Sequence, residues 1–348
     1  MGLAKGIFMM DTHVFGQTTK QEDNSSMLLY HMEKYGVDMC VLKNTVGRSN
    51  KVNAEMVKKY PDKFIAICND SETQNKSQIG EIKWTIEAAI KEIESNLETG
   101  YFKGIGDGLA RDRTRGKKLI TWDERLDQIC HIMELARKYK CPVIYHTGIP
   151  VGWAGQIDMA RSRAHADTAD NGNPLLCHEV ASLYPDVPIL MAHAGVEASA
   201  YYMEDYERCL NVAASHKNVF LETGQWWAEL YEKPLMDPNI GARKLVWGCG
   251  WGQGNVTQHW MPGKVPETYN AVYIDKGPAT HQANIWGWSL REVGRLNIPQ
   301  DDLDLILGGN AAFLYSVKTP QPYERLFKPV ERAVETRTPE GVDSYYKA

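Results

Sequence analysis

The sequence contains no CxxC pair, and its seven cysteines (40, 68, 130, 141, 177, 209 and 249) are odd in number and scattered. That pattern excludes a disulfide framework and a zinc knuckle and suits a reducing compartment, so a cytoplasmic protein is expected. No apolar run approaches the roughly 20 residues that span a bilayer, and no membrane segment is expected. The opening stretch MGLAKGIFMMDTHVF carries one Lys and a short apolar run broken by Asp11, too brief for a secretory signal. Positive charge is also short: a net charge of −5 advertises no basic surface for nucleic acid. GWGQGN (250–255) is glycine-rich but lacks the Lys-Ser/Thr of a phosphate-binding loop. No internal repeat or low-complexity tract is present. A small-molecule partner remains.

What is present is an ordinary globular composition, 43% hydrophobic and 24% charged, with enough apolar material for one large core. Short apolar runs fall at 6–13, 37–44, 63–70, 102–108, 142–148, 188–195, 219–224 and 244–250, which predicts eight strands. Between them lie helical patterns such as 85–97 and 122–139, the latter capped by Thr121 or Asp123. Continuously apolar strands alternating with amphipathic helices pair in parallel, and eight of them predict a (β/α)₈ TIM barrel, an α/β fold, with a doubly wound open sheet as the alternative. The barrel is assigned to residues 1–317, with long connections at 149–173 and 251–279 that read as lids, binding loops or surface excursions. Residues 318–348 read as a C-terminal extension over the barrel or a neighbouring subunit, so a homo-oligomer, dimer or tetramer, is expected.

Most of the apolar runs end in polar residues: Asp11 and His13, Asn69 and Asp70, Asp107, His146, His193 and Glu222. In such a barrel the C-terminal strand ends form the working face. Asp11 and His13, two apart, are expected on one face of the first strand. With His146 and His193 they supply one carboxylate and three imidazoles, the donors of zinc or another borderline divalent ion. A single histidine at a strand end is more often a hydrogen-bonded structural residue; three at separate strand ends weigh against that. Trp153, Trp226, Trp227, Trp251 and Trp260 follow strand ends and read either as the walls of a pocket for a flat, apolar or aromatic substrate or as loop packing. Trp286 and Trp288 lie on a helical segment and read as core. Arg161 and Arg163, which share the fifth-strand loop with His165, and Arg111 and Arg113 in the fourth are candidate carboxylate clamps or solvated surface groups.

The segments MMDTHVF, VIYHTG, LMAHAG, KLVWGCGWG and LILGGNAAFLY resemble, in order and spacing, the signatures of the amidohydrolase superfamily. The similarity covers most of residues 6–316 and is nearest to the branch of aminocarboxymuconate-semialdehyde decarboxylase and the resorcylate-type decarboxylases. The resemblance implies a barrel enzyme with one divalent metal, zinc first and manganese second. It implies metal ligands Asp11, His13, His146 and His193, with His193 also as an acid or base. A second register places His13 in the first slot of the strand-one pair and Phe15 in the second. The eighth-strand aspartate of the family aligns with Gly250, and neighbouring Cys249 is expected to face outward as a buried thiol. Glu222 or His259 would restore the missing function. Substrate contacts fall to Trp153, Arg161, Trp226, Trp227, Trp251 and His259. Three activities are compatible: non-oxidative decarboxylation of an aromatic or unsaturated acid, hydrolysis of an amide, lactone or ester, and metal-free ligand binding without catalysis.

Overall fold

The computed structural model describes residues 7–17, 21–44, 48–106, 121–147, 173–196, 203–224, 226–251 and 278–318. All eight predicted strands form: β1 (Met10–Val14), β2 (Met39–Leu42), β3 (Phe64–Cys68), β4 (Phe102–Ile105), β5 (Val143–His146), β6 (Ile189–Ala192), β7 (Val219–Glu222) and β8 (Leu245–Val246). They are parallel and hydrogen-bonded in sequence order. The ring is completed by a bridge from Val14 to Trp251 and by the amide of Thr12 donating to the Trp247 carbonyl. This is the (β/α)₈ barrel, not the open sheet.

The alternation of strand side chains sorts the apolar residues into two clusters. Met9, Cys40, Leu42, Val143, Met191, Leu221 and Trp247 join the layer between the barrel wall and the helices. Phe8, Met10, Val41, Ile144, Leu190, Phe220 and Val246 fill the lumen. The lumen's N-terminal end is closed by Ala311, Ala312, Leu314 and Tyr315 from the segment after the last long helix. Gly308 permits that closure, because a Cβ there would overlap the Phe8 carbonyl oxygen.

The helical patterns at 85–97 and 122–139 appear as the helices Ile86–Glu98 and Trp122–Tyr139. The second begins with a capping box: Thr121 accepts from the amide of Glu124, whose carboxylate accepts from the amide of Thr121. Of the long connections, 149–173 and 251–279 lie almost wholly outside the described residues, as does the extension 318–348 beyond its first residue.

Candidate functional site

Filling the lower lumen with apolar side chains leaves its C-terminal mouth to the residues that end the strands. Four fully buried polar side chains meet there: His13 from β1, Lys43 just after β2, His193 just after β6 and Glu222 at the end of β7. Each follows a lumen-facing residue of its own strand. For Lys43 and Glu222 this is simple alternation from Val41 and Phe220. For His13 it is not. The register of β1 against β2 slips between Asp11 and Val14, and at the slip Thr12 and His13 in succession both reach Glu222.

Glu222 is the hub. Its Oε2 lies 2.7 Å from His13 Nδ1 and accepts the His193 backbone N–H at 3.1 Å, while Oε1 accepts the Thr12 hydroxyl at 3.1 Å. Lys43 Nζ stands 3.9 Å from Oε1, and 2.9 and 3.3 Å from His13 Nδ1 and Nε2. Burial alone would raise the Glu222 pKa, but the charges of His13 and Lys43 outweigh it and hold the carboxyl well below its ordinary range. The turn after β6 is held in left-handed backbone, with φ of 62° at His193, 41° at Ala194 and 80° at Gly195. Two non-glycine residues in that region carry strain. Thr147 braces the turn, its hydroxyl donating to the Ala192 carbonyl at 2.7 Å and accepting the Gly195 amide at 3.0 Å. The imidazoles stand in a row, His13 to His193 at 4.6 Å and His193 to half-buried His146 at 5.1 Å between ring centroids.

Of the expected ligands, the structure brings His13 and His193 together, with His146 alongside, and adds Glu222. It does not add Asp11. The expectation that Asp11 and His13 share a face fails at the slip in β1: His13 turns inward, while Asp11 keeps the outward parity of Met9, against the helix layer. There it accepts the amides of His13 (2.7 Å) and Cys249 (3.3 Å), the Cys249 thiol (2.9 Å) and the Trp286 indole. Burial pushes its pKa up, although the bonds from Cys249 and Trp286 pull the other way. The geometry fits the second register, with His13 in the first slot and the Phe15 ring 5.4 Å from it in edge contact. Cys249 faces outward as expected.

The tryptophan-lined pocket is also corrected for the residues described. Trp226 is fully buried in the helix layer between Tyr206 and Tyr231, touching the site only through its indole N–H, 3.4 Å from the His193 carbonyl. Trp251 is buried in the same layer, stacked on Trp286 and bonded to His31. Trp227 is half-buried and packs on that layer too. All three follow their strands in positions that turn toward the helices. Trp286 is core as expected, and the Trp288 side chain lies outside the described residues. Trp153, Arg161, His259, Asp107, Arg111, Arg113, Arg163, His165 and Trp260 also lie outside the described residues.

At strand eight, Gly250 has a φ of 76°, but the residue whose side chain would enter the cluster is Gly248. A Cβ there would sit 2.6 Å from Thr12 Oγ1 and 3.1 Å from Glu222 Oε1, so Thr12 and Glu222 occupy the space of an eighth-strand side chain. Sequence reasoning missed Lys43. A lysine at a strand end ordinarily reads as solvated, and its only signal was sharing the parity of Val41. It missed Arg48 as well, whose buried guanidinium lies 4.1 Å over the Phe15 ring and is pulled down to about 10 by burial.

The donor chemistry fits a divalent ion. His13, His193 and Glu222 offer two imidazole nitrogens and one carboxylate oxygen, all buried and all within 4.8 Å of one another. Two imidazoles and a carboxylate are donor types that could hold a divalent metal ion.

The sequence profile of the amidohydrolase family matches residues 46–317, and enzymes of that family generally use a divalent metal. Similar solved structures include 2,6-dihydroxybenzoate decarboxylase from Rhizobium, at 16% identity over 89% of this chain and 99% of that one, with a TM-score of 0.58. A dihydroxybenzoic acid decarboxylase from Polaromonas, with bound manganese and the inhibitor 2-nitroresorcinol, is 14% identical over 91% and 99%, with a TM-score of 0.55. An uncharacterized TIM-barrel protein from Bordetella bronchiseptica is 14% identical over 89% and 99%, with a TM-score of 0.53. At these identities the likeness speaks for the fold. No curated protein sequence matches the chain.

Proposed function

This chain belongs to the amidohydrolase family, and we propose that it is a metal-dependent non-oxidative decarboxylase, a carbon–carbon lyase for an aromatic or unsaturated carboxylic acid. The observation that carries the reading is the state of Glu222. A carboxylate bound by His13, Thr12 and the His193 amide, and held well below its ordinary pKa, is a good metal ligand and a poor general base. Gly248 leaves the eighth strand without a second carboxylate beside it. Hydrolysis needs a base to activate water. Decarboxylation needs a cationic site for the acid and a proton donor, and the row of imidazoles supplies the donor.

In this reading His13, His193 and Glu222 hold zinc or manganese. An ion held there would supply Lewis-acid stabilisation of the substrate's negative charge. His146, half-buried and against His193, delivers a proton to the carbon that bears the carboxylate. As CO₂ leaves, the electrons of the broken C–C bond restore the unsaturation of the substrate, and His146 recovers its proton from solvent. His193 orients His146 through the ring contact. The alternative, hydrolysis of an amide, lactone or ester, makes His146 the base.

The test pairs elemental analysis of the dialysed protein with CO₂ release from a panel of aromatic and unsaturated acids, run beside a panel of amides and lactones. About one divalent ion per chain with CO₂ release is expected; hydrolysis without CO₂ release selects the alternative. His146→Ala is expected to keep its metal and lose about 100-fold or more in kcat. Loss of metal in that variant would return His146 to the ligand set.

A further inference from the structure

Metal, imidazole and carboxylate account for three of the four side chains at the centre of the cluster. They leave Lys43. Its side chain is fully buried and its Nζ stands against both ring nitrogens of His13. Nζ lies 2.9 Å from Nδ1 and 3.3 Å from Nε2, so the ammonium is held against the same imidazole that a metal would use. An ammonium and a metal ion cannot both hold one lone pair of His13. Among the groups of the cluster, Glu222 is one negative charge shared among His13, Lys43 and two neutral donors. A divalent ion added to Lys43 and Glu222 leaves positive charge in excess, and a buried excess calls for an anion. Arg48, five residues after Lys43 in the same connection, adds a second buried cation behind the Phe15 ring that abuts His13. The β2 side of the site is therefore cationic in its own right, apart from any metal.

We propose that Lys43 is the substrate-anion anchor of this enzyme, the residue that selects a carboxylate over a neutral group of the same shape. This rests on the reading of the site as that of an acid-consuming enzyme, and it deepens that reading by naming the residue that reads the charge. The ammonium meets the carboxylate equally in the ground state and at the protonation barrier, before CO₂ departs. Its binding energy thus appears in KM and not in kcat. It touches the substrate without moving a proton or breaking a bond.

The experiment uses the metal-loaded protein and two probes of one shape, 2-hydroxybenzoate and its neutral amide 2-hydroxybenzamide, titrated by calorimetry. The wild type is expected to prefer the acid by about tenfold or more, the size of one charge-assisted contact. Lys43→Met keeps the volume and removes the charge; its preference is expected to fall about tenfold below that of the wild type with metal content unchanged. Lys43→Arg restores most of the preference and guards against a folding defect in the Met variant. For a turned-over acid, Lys43→Met raises KM by a similar factor with kcat within about twofold. A Lys43→Met protein that binds metal and keeps the acid preference overturns the proposal, as does a wild type that binds the acid no better than the amide. Failure of the decarboxylase reading looks different: hydrolysis without CO₂ release, whatever the probes report.

Discussion

Asp11 and Glu222 are both fully buried carboxylates at the same rim of the barrel, one against the helix layer and one in the lumen, and burial leaves them in opposite conditions. Glu222 stands among His13 and Lys43 and is held well below the ordinary carboxylate range. Asp11 has as hydrogen-bond donors two backbone amides, a thiol and an indole, and is pushed up. Desolvation acts on both, and only Glu222 has cationic neighbours strong enough to reverse it. The barrel wall thus separates an ionised carboxylate suited to a metal from a carboxyl suited to bracing backbone. Asp11 ties the amide of His13 on the first strand to that of Cys249 after the eighth, at the seam where the barrel closes.

The comparison breaks most forcefully at Glu222. Glu222→Gln leaves Lys43 and His13 without the carboxylate between them, and removing one member of a buried charge cluster costs about 3–5 kcal/mol. The expected result is a urea midpoint lowered accordingly at neutral pH, with the metal lost on dialysis. A variant of wild-type stability and metal content would show that the carboxylate is not the hub. Asp11→Asn is the matched change outside the wall. The amide keeps an acceptor for the strand amides but turns a donor toward the thiol or the indole, so the expected loss is about 1–2 kcal/mol with metal stoichiometry unchanged. Loss of metal ahead of stability in this variant would return Asp11 to the ligand set.

The two carboxylates also mark what could be read in the sequence. The eight strands were legible because continuous apolar runs ending in polar residues are what a parallel barrel demands, and the helix at Trp122–Tyr139 because Thr121 and Glu124 form a capping box. The site was legible where simple alternation holds, as for Glu222, and where a histidine ends a strand, as for His193. It was not legible where Asp11 keeps the outward parity of Met9 while one residue of slip in β1 turns His13 inside, since period-two reasoning has no term for a bulge. The tryptophans after strands seven and eight misled for a related reason. Their place in the chain marks the mouth, but the path of each turn, which composition does not encode, carries their rings into the helix layer.

A second pair of carboxyls offers the finest test, because there the balance is set with a shared proton. Glu72 and Glu92, from the helices Ser71–Gln78 and Ile86–Glu98, meet at Asn50, whose amide donates to both at 2.7 and 2.9 Å. The backbone amides of Glu72 and Thr73 donate to Glu92 at 3.1 and 2.7 Å. Burial, with the hydrogen bond to Glu72, pushes the Glu92 carboxyl up to about 8. Glu72 is lowered, since the bond from Glu92 and those of Ser71 and Ser49 outweigh its own burial. The folded pair therefore carries a proton that the unfolded chain releases above its ordinary 4.5. A raised folded pKa gives stability that is whole below the unfolded value and is lost as pH climbs through the folded one. The lowering at Glu72 acts only below 4.5, outside this window. Stability should fall between 4.5 and about 8 by on the order of 1–2 kcal/mol, discounted for the coupling of the pair. Glu92→Gln, which holds its hydrogens at every pH, should flatten that part of the profile in urea unfolding while leaving metal content and turnover alone. A variant whose stability falls across the window as steeply as the wild type would place the shared proton elsewhere.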